Sequence, residues 1–247
     1  MHKIYVVGLG PGGGADLTQR AHAALEACDV IAGYTTYVDL VRADFPDKET
    51  LVTGMRGEVQ RCRASLERAQ EGACVALVCS GDPGVYGMAG LVLELAEDMG
   101  LLDRVQVEVV PGVTAATGGA ALLGAPLMHD FCLISLSDLL TPWETIERRL
   151  RGAAQAGFVI CLYNPCSHGR PDYLERAANI LLEVLPAGTV CGIAHNVGRP
   201  GEVAHVLKLG ELAGADADMT SVVFVGNQTT RDLAGRMVTP RGYQVRP

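Results

Sequence analysis

Residues 79–87 read CSGDPGVYG, and they directly follow an apolar run at 73–78. A short apolar run bounded by turn-forming residues is typical of a buried strand. The Gly-Asp-Pro-Gly part of this stretch predicts a turn at the carboxyl end of that strand, where backbone groups and the carboxylate of Asp82 are exposed. Because open α/β sheets bind ligands beyond the carboxyl ends of their strands, we expect a ligand site at this turn.

Three further junctions have the same form, an apolar run that ends in a turn. They read VVGLGPG at 6–12, VVPGVTAA at 109–116 and LYNP at 162–165. Carboxyl ends of parallel strands meet at one edge of a sheet, so the loops that follow them line a common space. The sequence therefore predicts a ligand cleft built from loops.

Short apolar runs alternate along the chain with stretches of helical periodicity, such as 59–69 and 174–185. Two capping patterns predict helix starts, Asp16 with Gln19 and Thr141 with Glu144, the second with Pro142 at the first helical position. Alternation of this kind predicts an α/β fold with largely parallel sheets. Strands are predicted at 4–8, 29–32, 49–53, 73–79, 105–110, 131–136, 157–163, 189–195 and 221–225.

A segment rich in glycine, alanine and proline, 117–126, lies near the middle of the chain, and a new series of strands begins after it. Such segments are common at domain boundaries. With 247 residues and 49% hydrophobic residues, the chain can form two domains of ordinary size. We predict an N-terminal α/β domain at 1–120 and a C-terminal α/β domain at 121–247.

Composition excludes several classes of partner. The net charge of −8 and the lack of a run of basic residues argue against nucleic acid. No apolar stretch is long enough to span a bilayer and no signal-peptide pattern is present, which predicts a cytoplasmic protein without a membrane partner. The eight cysteines form no C-x-x-C pair and fit small buried side chains in a reducing compartment, so we expect no metal site. An anionic ligand would need individually placed arginines.

Residues 8–13 also match the dinucleotide pattern G-x-G-x-x-G, and Asp29 follows at the appropriate distance. This match would indicate an NAD-dependent oxidoreductase. However, Pro11 removes an amide donor from the loop, and Asp29 opens the next strand where a ribose-binding acid should close it. A tight glycine turn that shapes the wall of a cleft fits these features better.

Several polar residues at the strand ends fit either a local or a functional role. Asp82 fits a turn residue and a ligand contact equally well, since Asp before Pro-Gly is common in turns. Tyr86, Thr114 and Tyr163 have hydroxyl groups that could satisfy local backbone atoms. Their predicted convergence on one edge of a sheet favours function.

Together these motifs resemble the tetrapyrrole (corrin/porphyrin) methylase family. In the first half the similar segments are 8–12, 80–86 and 111–115. In the second half the segments 135–143, 162–165, 226–231 and 237–243 resemble the precorrin-3B C-17 methyltransferase branch of cobalamin synthesis, including its cobalt-factor III counterpart. The resemblance covers essentially the whole chain.

The resemblance implies an S-adenosylmethionine-dependent C-methyltransferase with two α/β domains, the cofactor folded into the cleft between them, and usually a homodimer. Its substrate would be precorrin-3B or cobalt-factor III, methylated at C-17 with contraction of the ring. The loop of Gly10, Pro11 and Gly12 matches the substrate side of the family's site. The positions that match its cofactor-binding motifs are Gly81, Asp82, Val85, Thr114, Ala115, Asn164, Ala194 and Thr220.

This chemistry needs no activated nucleophile in the protein, because a sulfonium is already a strong methyl donor. Holding donor and acceptor in line in a dry cleft supplies much of the acceleration. Ring contraction calls for proton transfer or hydrogen bonding to oxygen functions. We take His129, Asp138 and Tyr163 as candidates, each of which also fits a structural role.

A tetrapyrrole carries many carboxylates, whereas this chain is acidic. We therefore expect a local basic lining in which guanidinium groups bind carboxylates. Arg170 and Arg231 are the foremost candidates, and a solvated arginine is the alternative for each. The wider set is Arg56, Arg170, Arg199, Arg231 and Arg241.

Other functions remain open from the sequence. One is a methylase of the same fold that acts at another precorrin position or on a protein, as diphthine synthase does. Another is the NAD-dependent oxidoreductase suggested by residues 8–13. A third is a tetrapyrrole carrier without catalysis, which would not require the cofactor turn at Gly81 and Asp82.

Overall fold

A computed structural model describes residues 2–12, 14–167 and 169–244. The chain divides into two compact units, Met1–Thr114 and Ala115–Pro247. The division falls just before the helix Ala115–Leu123, whereas a boundary after residue 120 would cut this helix. Each unit is built around its own sheet.

The first unit contains a five-stranded parallel sheet in the order β3-β2-β4-β1-β5. Since the strands all run in the same direction, the loops that follow β1, β4 and β5 emerge side by side at one edge. The strands are β1 (His2–Gly8), β2 (Val30–Tyr34), β3 (Glu49–Thr53), β4 (Cys74–Cys79) and β5 (Val105–Val110).

Helices cover both faces of this sheet. Successive residues of a strand point to opposite faces, so Leu77 packs with Leu66 on one face and Val78 packs with Leu25 on the other. Both faces are buried, which explains why the strands read as continuous apolar runs. The helices are α1 (Gln19–Ala27), α2 (Thr35–Asp39), α3 (Glu58–Gln70) and α4 (Ala89–Asp98), with a 3₁₀ turn at Gly14–Asp16.

The second unit contains a mixed five-stranded sheet in the order β10-β9-β11-β8-β7 and a small sheet in the order β12-β13-β6. In the large sheet β7 pairs with β8 in parallel, and the other three pairings are antiparallel. The strands are β6 (Gly124–Ala125), β7 (Phe131–Ser135), β8 (Val159–Tyr163), β9 (Val190–His195), β10 (Val203–Lys208), β11 (Ser221–Val225), β12 (Arg231–Asp232) and β13 (Met237–Val238).

The helices of the second unit also pack on both faces of its large sheet. Ile146 and Leu181 bury one face together with Ile193, whereas Ala120 packs with Phe224 on the other. A short helix, Leu209–Leu212, connects the last two long strands. The helices are α5 (Ala115–Leu123), α6 (Trp143–Gln155), α7 (Tyr173–Leu182) and α8 (Leu209–Leu212).

The α/β class and all nine predicted strands are confirmed, with end shifts of a few residues. The expectation of parallel sheets holds in the first unit and fails for β10 and β11. A hairpin reverses the chain after β9, and the connection that contains α8 then carries it back, so that β11 starts beside the end of β9 as β10 does and both strands run antiparallel to β9. The predicted helix starts also need correction. Thr18 caps α1 by accepting a 3.1 Å hydrogen bond from Ala21 N, and Pro142 is itself the N-cap residue of α6.

Candidate functional site

Three glycines hold the loops after β1, β4 and β5 in close backbone contact. A Cβ atom added to Gly112 would lie 2.2 Å from the carbonyl oxygen of Gly81, and one added to Gly8 would lie 2.6 Å from the same oxygen. Real Cβ atoms do not approach a carbonyl oxygen so closely, and backbone cannot move aside as a flexible side chain can. Glycine is therefore required at both positions for the three loops to meet.

The loops after β1 and β4 are also joined by a two-way backbone bridge. Gly81 N donates to Gly10 O at 2.8 Å, and Gly10 N donates to Gly81 O at 3.2 Å. Both glycines have positive φ, +72° at Gly10 and +69° at Gly81, which favours glycine. Pro11 is buried beside this bridge and Gly12 is partly exposed, whereas Gly13 lies outside the described residues.

The carboxylate of Asp82 ties the turn to the neighbouring loop. Its Oδ1 accepts a 2.8 Å hydrogen bond from Gly84 N, and its Oδ2 accepts a 3.0 Å bond from Gly112 N. Asp82 therefore has the turn role that its sequence context suggested, and it also organises the loop after β5. The residue remains partly exposed, so its negative charge is accessible at the strand ends.

The remaining candidates of the first half lie along the same loops. Val85 N donates to Asp82 O at 3.2 Å, which places this partly exposed side chain on the turn itself. Tyr86 follows with a φ of +53°, an uncommon value for a side chain of its size, and is half exposed. Thr114 ends the first unit and Ala115 begins the second, both partly exposed.

In the second unit the carboxyl ends of β7, β8 and β9 and the start of β11 lie in a row along one side of the sheet, which is called its edge below. The register pairs Ser135 with Tyr163 and His195 with Ser221. Asn164 lies at this edge with a φ of +53°, and its Nδ2 donates to Ser135 Oγ at 2.9 Å. Tyr163 has a structural role, because its hydroxyl oxygen accepts a 2.7 Å hydrogen bond from Ala116 N at the start of α5.

Thr220 shares the edge with Asn164, whereas Ala194 lies inside the unit. The nitrogen and Oγ1 of Thr220 donate to Asp218 Oδ1 at 2.8 and 2.7 Å. Ala194 is fully buried, its backbone lies in the ladders to both β10 and β11, and its Cβ would be 3.2 Å from a Cβ added to Gly119. Its side chain therefore packs against α5 and is not presented at the edge.

The three acid–base candidates are not brought together. His129 precedes β7, at the sheet edge opposite to Asn164, and its Nδ1 accepts a 2.9 Å bond from Asp130 N. Asp138 lies in the loop after β7, where its Oδ2 accepts a 2.5 Å bond from the hydroxyl of Tyr173. This bond lowers the pKa of Asp138 and raises the pKa of Tyr173, since it stabilises the carboxylate and the protonated phenol.

Arg170 is held within the second unit by neighbouring side chains. Its Nη1 donates to Ser137 Oγ at 2.7 Å and lies 3.5 Å from Asp138 Oδ1, and its Nε donates to Ser167 Oγ at 3.1 Å. Arg231, in β12, is exposed. The guanidinium group of Arg231 is therefore more accessible to a ligand than that of Arg170.

The other arginines differ widely in exposure. Arg56 and Arg241 are exposed, and Arg199 is partly buried. Sequence reasoning missed a buried arginine, Arg61 in α3, which is 3% exposed. Its Nε donates to Thr53 Oγ1 at 2.7 Å and its Nη2 donates to Gly54 O at 2.9 Å. A helical arginine gives no sequence signal of such burial.

A second missed group joins His195, Ser221 and Asp218 at the edge of the second sheet. Ser221 Oγ lies 2.9 Å from His195 Nδ1 and 2.8 Å from Asp218 Oδ1. The serine stands between the other two, unlike the order of a hydrolase triad, in which the histidine is central. His195 lies 26 residues before Ser221, so no local motif joins it to Asp218 and Ser221.

The dinucleotide interpretation finds no support in the geometry. Asp29 precedes β2, and its Oδ2 accepts a 2.7 Å bond from Cys74 N at the start of β4. This is the edge of the parallel sheet opposite to the glycine loops. A ribose-binding acid would have to lie at the same edge as the loops.

Within residues 2–12, 14–167 and 169–244, no cluster of three or more histidine, cysteine, aspartate or glutamate side chains is arranged to hold a metal ion. No helix in the same ranges combines the length and apolar character required to cross a membrane.

Residues 3–213 match the family described as Tetrapyrrole (Corrin/Porphyrin) Methylases. Over 240 residues the chain is 51% identical to the "Probable cobalt-factor III C(17)-methyltransferase" of Salmonella typhimurium, covering 97% of this chain and 99% of that protein. Over 247 residues it is 46% identical to the "Precorrin-3B C(17)-methyltransferase" of a Sinorhizobium species, covering 97% and 96%.

Two solved structures extend this similarity to the fold. The "methyltransferase CobJ" superposes with a TM-score of 0.91 at 39% identity, covering 97% of this chain and 100% of that one. The uroporphyrin-III C-methyl transferase of Thermus thermophilus, solved with S-adenosylhomocysteine, gives a TM-score of 0.71 at 25% identity, covering 91% and 97%.

Proposed function

The chain belongs to the tetrapyrrole (corrin/porphyrin) methylase family, and from this premise we propose that it is an S-adenosylmethionine-dependent C-methyltransferase of cobalamin biosynthesis. Its reaction is methylation of C-17 of precorrin-3B or cobalt-factor III. The observation that carries this proposal is the full-length similarity to two proteins named for methylation at that carbon. Their names differ in the presence of cobalt, so the proposal keeps both substrates.

The turn at the end of β4 suits a cationic cofactor. S-adenosylmethionine supplies an electrophilic methyl group on a positively charged sulfur. Gly84 and Gly87 expose the backbone of the turn, and Asp82 keeps a carboxylate beside it. Carbonyl dipoles and a negative charge attract a cation, most strongly where water is excluded. A tetrapyrrole methylase solved with S-adenosylhomocysteine supports this cofactor.

We assign cofactor contacts to the residues that match the family's cofactor-binding motifs. In the first unit they are Gly81, Asp82 and Val85, followed by Thr114 and Ala115. In the second unit they are Asn164 and Thr220, which share one sheet edge, and Ala194 can contribute only by packing beneath that edge. The proposed role of the protein is to hold donor and acceptor in line, which accounts for the prevalence of backbone contacts over nucleophilic side chains.

Substrate contacts are proposed for the loop Gly10, Pro11 and Gly12 and for Arg231. The bridge between Gly10 and Gly81 makes the loop rigid, which suits the wall of a site for a flat macrocycle. Arg231 is exposed and can meet a substrate carboxylate. Arg170 already bonds Ser137 and Ser167, so its proposed contribution depends on release from these partners. Ring contraction, a homodimer and a cytoplasmic location complete the proposal.

One experiment tests substrate, cofactor and product together. The purified protein is incubated with S-adenosylmethionine carrying a deuterated methyl group and either precorrin-3B or cobalt-factor III, and the products are analysed by mass spectrometry. We expect gain of one labelled methyl group, with a fragmentation pattern that places it on C-17 of a contracted ring. Absence of label from both tetrapyrroles would contradict the proposal. Light scattering of the same sample tests the homodimer.

A further inference from the structure

Three polar residues form a hydrogen-bonded chain at the edge of the second sheet. Asp218 Oδ1 lies 2.8 Å from Ser221 Oγ, which lies 2.9 Å from Nδ1 of His195. Ser221 is 6% exposed, whereas His195 is partly exposed at the end of β9. The ring of His195 also stacks on that of His205, with centroids 5.9 Å apart and planes inclined by 16°. Packing on one side and a hydrogen bond on the other hold the imidazole in place.

The hydrogen bonds determine which nitrogen of His195 carries a proton. Ser221 Oγ accepts a 2.9 Å bond from Asp218 N and has a single hydrogen to donate. A carboxylate is a stronger acceptor than an imidazole nitrogen, so this hydrogen goes to Asp218 Oδ1. Nδ1 of His195 must then donate to Ser221 Oγ. In the neutral ring, Nε2 is consequently the nitrogen with a free lone pair.

Nε2 is available for chemistry, since it makes no hydrogen bond to any residue in the described part of the chain. Asp218 supports a positive charge on the ring. Burial alone would raise the pKa of Asp218, but hydrogen bonds from Thr220 and Ser221 outweigh burial and hold its pKa below the ordinary value. The carboxylate is thus ionised at neutral pH and, through Ser221, stabilises an imidazolium.

The proposed reaction requires a proton acceptor on grounds of charge balance. The bond from carbon to sulfur breaks with its electron pair left on sulfur, which becomes a neutral thioether. The new carbon–carbon bond takes its electron pair from the macrocycle. The positive charge of the sulfonium therefore passes to a neutral macrocycle, which must release one proton to become neutral again.

Resting on the function proposed above, we propose that His195 accepts this proton at Nε2, with Ser221 and Asp218 as positioning residues that fix its tautomer. His195 is at the same sheet edge as Asn164 and Thr220, and the hydroxyl of Thr220 bonds the same carboxylate oxygen as Ser221. Since the ring is partly exposed, the proton can pass on to solvent.

The candidates named from sequence are less suited to this step. His129 lies at the opposite edge of the sheet, Asp138 is engaged with Tyr173, and the hydroxyl of Tyr163 bonds the backbone of α5. Ser221 itself is not a nucleophile in this arrangement, because it is buried and its hydrogen is directed to Asp218.

Nitrogen NMR tests the tautomer without reference to activity. In protein labelled with ¹⁵N at histidine, the His195 signals are assigned by their loss in His195→Asn. We expect Nδ1 to be protonated and Nε2 to have the shift of an unprotonated ring nitrogen. Ser221→Ala should produce a mixture of tautomers. An unprotonated Nδ1 in the wild type, or no change in Ser221→Ala, would overturn the positioning scheme.

Kinetics test the role of the proton acceptor. Asparagine keeps an N–H that can bond Ser221 but has no second nitrogen, so His195→Asn should lower kcat about 100-fold or more while the KM for S-adenosylmethionine changes little. The control, His22→Asn, alters an exposed histidine of α1 and should match the wild type. A His195→Asn enzyme that is folded by circular dichroism and keeps the wild-type kcat would overturn the inference.

The pH profile distinguishes proton transfer from a structural role. The fall in kcat on the acid side should be lost in His195→Asn, whereas a variant that is merely less stable would keep its shape. Other titratable groups beside the ring are His205, which stacks on it, and Asp218, which is joined to it through Ser221; Arg199 and Glu202 follow in the connection from β9 to β10. A profile unchanged by the substitution would contradict the assignment. Inactivity of the wild type on both tetrapyrroles would instead overturn the proposed function.

Discussion

The backbone nitrogen of Gly112 donates a 3.0 Å hydrogen bond to Oδ2 of Asp82, across 30 residues of sequence. This bond joins the loop after β5 to the turn after β4, two motifs that were recognised separately in the sequence. The carboxylate of Asp82 thus fixes both the conformation of its own turn and the position of the loop after β5. A substitution at Asp82 or Gly112 should therefore alter the conformation of both loops.

Gly112→Ala should destabilise the first unit, because the added Cβ would lie 2.2 Å from Gly81 O. Overpacking against a rigid neighbour costs about 1–3 kcal/mol, and the backbone contact places this site at the upper end. The free energy of unfolding is measured in urea. The control is Gly90→Ala in α4, where an added Cβ would meet no heavy atom within 4 Å apart from its chain neighbours and the backbone of its own helix. Its free energy of unfolding should rise by about 0.4–1 kcal/mol. Equal stability of the two variants would contradict the packing argument.

Asp82→Asn should weaken binding of S-adenosylmethionine by about tenfold, equivalent to about 1.4 kcal/mol. An amide keeps one acceptor oxygen but turns an NH₂ group towards the second backbone N–H, so either Gly84 or Gly112 loses its partner. The negative charge at the proposed cofactor site is lost as well. Isothermal titration calorimetry gives the Kd.

The matched control for Asp82 is Asp98→Asn, which removes an exposed carboxylate at the end of α4. It should leave the Kd of S-adenosylmethionine unchanged. If Asp82→Asn lowers stability but binds the cofactor as tightly as the wild type, the residue has a turn role alone.

Tyr173→Phe should reduce stability at neutral pH and flatten the dependence of stability on pH at both extremes. The pKa of Asp138 is lowered in the folded protein, so its contribution is present above the unfolded pKa of about 3.9 and disappears as pH falls through the folded value. The pKa of Tyr173 is raised, so its contribution is present below about 10 and disappears as pH rises through the folded value.

Urea midpoints measured across pH for the wild type and Tyr173→Phe test this dependence. The two curves should lie furthest apart between about pH 4 and pH 10 and converge outside this window. Tyr243→Phe, which removes an exposed hydroxyl, should follow the wild type throughout. A constant separation at all pH values would indicate that packing of the ring, not the hydrogen bond to Asp138, accounts for the loss.

Arg61→Met should destabilise the first unit although it replaces a buried charge by an apolar side chain. Thr53 Oγ1 and Gly54 O lose their charged donor, and a hydrogen bond to a charged group contributes about 1.5–3 kcal/mol. Arg63→Met, at an exposed position two residues on, should stay within about 0.5 kcal/mol of the wild type. Unfolding in urea measures both, and a more stable Arg61→Met would show that desolvation of the guanidinium outweighs its hydrogen bonds.

The sequence predicted best those parts of the fold that depend on local pattern. Runs such as 73–79 and 222–225 are continuously apolar because both faces of their strands are covered, and each lies in a strand. Strand β10 was not predicted, because Val203–Lys208 mixes small, polar and apolar residues and forms a partly exposed outermost strand of the sheet. The resemblance to the tetrapyrrole methylases rested on turn motifs and is confirmed by the match over residues 3–213.

At the candidate site, turn chemistry pointed to Gly81 and Asp82, whose contacts with Gly10, Gly84 and Gly112 the structure describes. It could not identify Arg61, because burial of a helical arginine depends on what folds over it. Roles in binding cofactor and substrate stay predictions for all the residues named from sequence.

Apolar periodicity and glycine turns act between near neighbours in the chain, so the amino-acid order is sufficient to predict the nine most apolar strands, the loops that follow them and the family. The direction of β10 and β11, and the partnerships of Asp138 with Tyr173 and of His195 with Ser221, arise when separate segments pack. Strand register and helix packing set these distances to within hydrogen-bonding range. No local pattern encodes them, because each partner contributes to the geometry only after the other is in place.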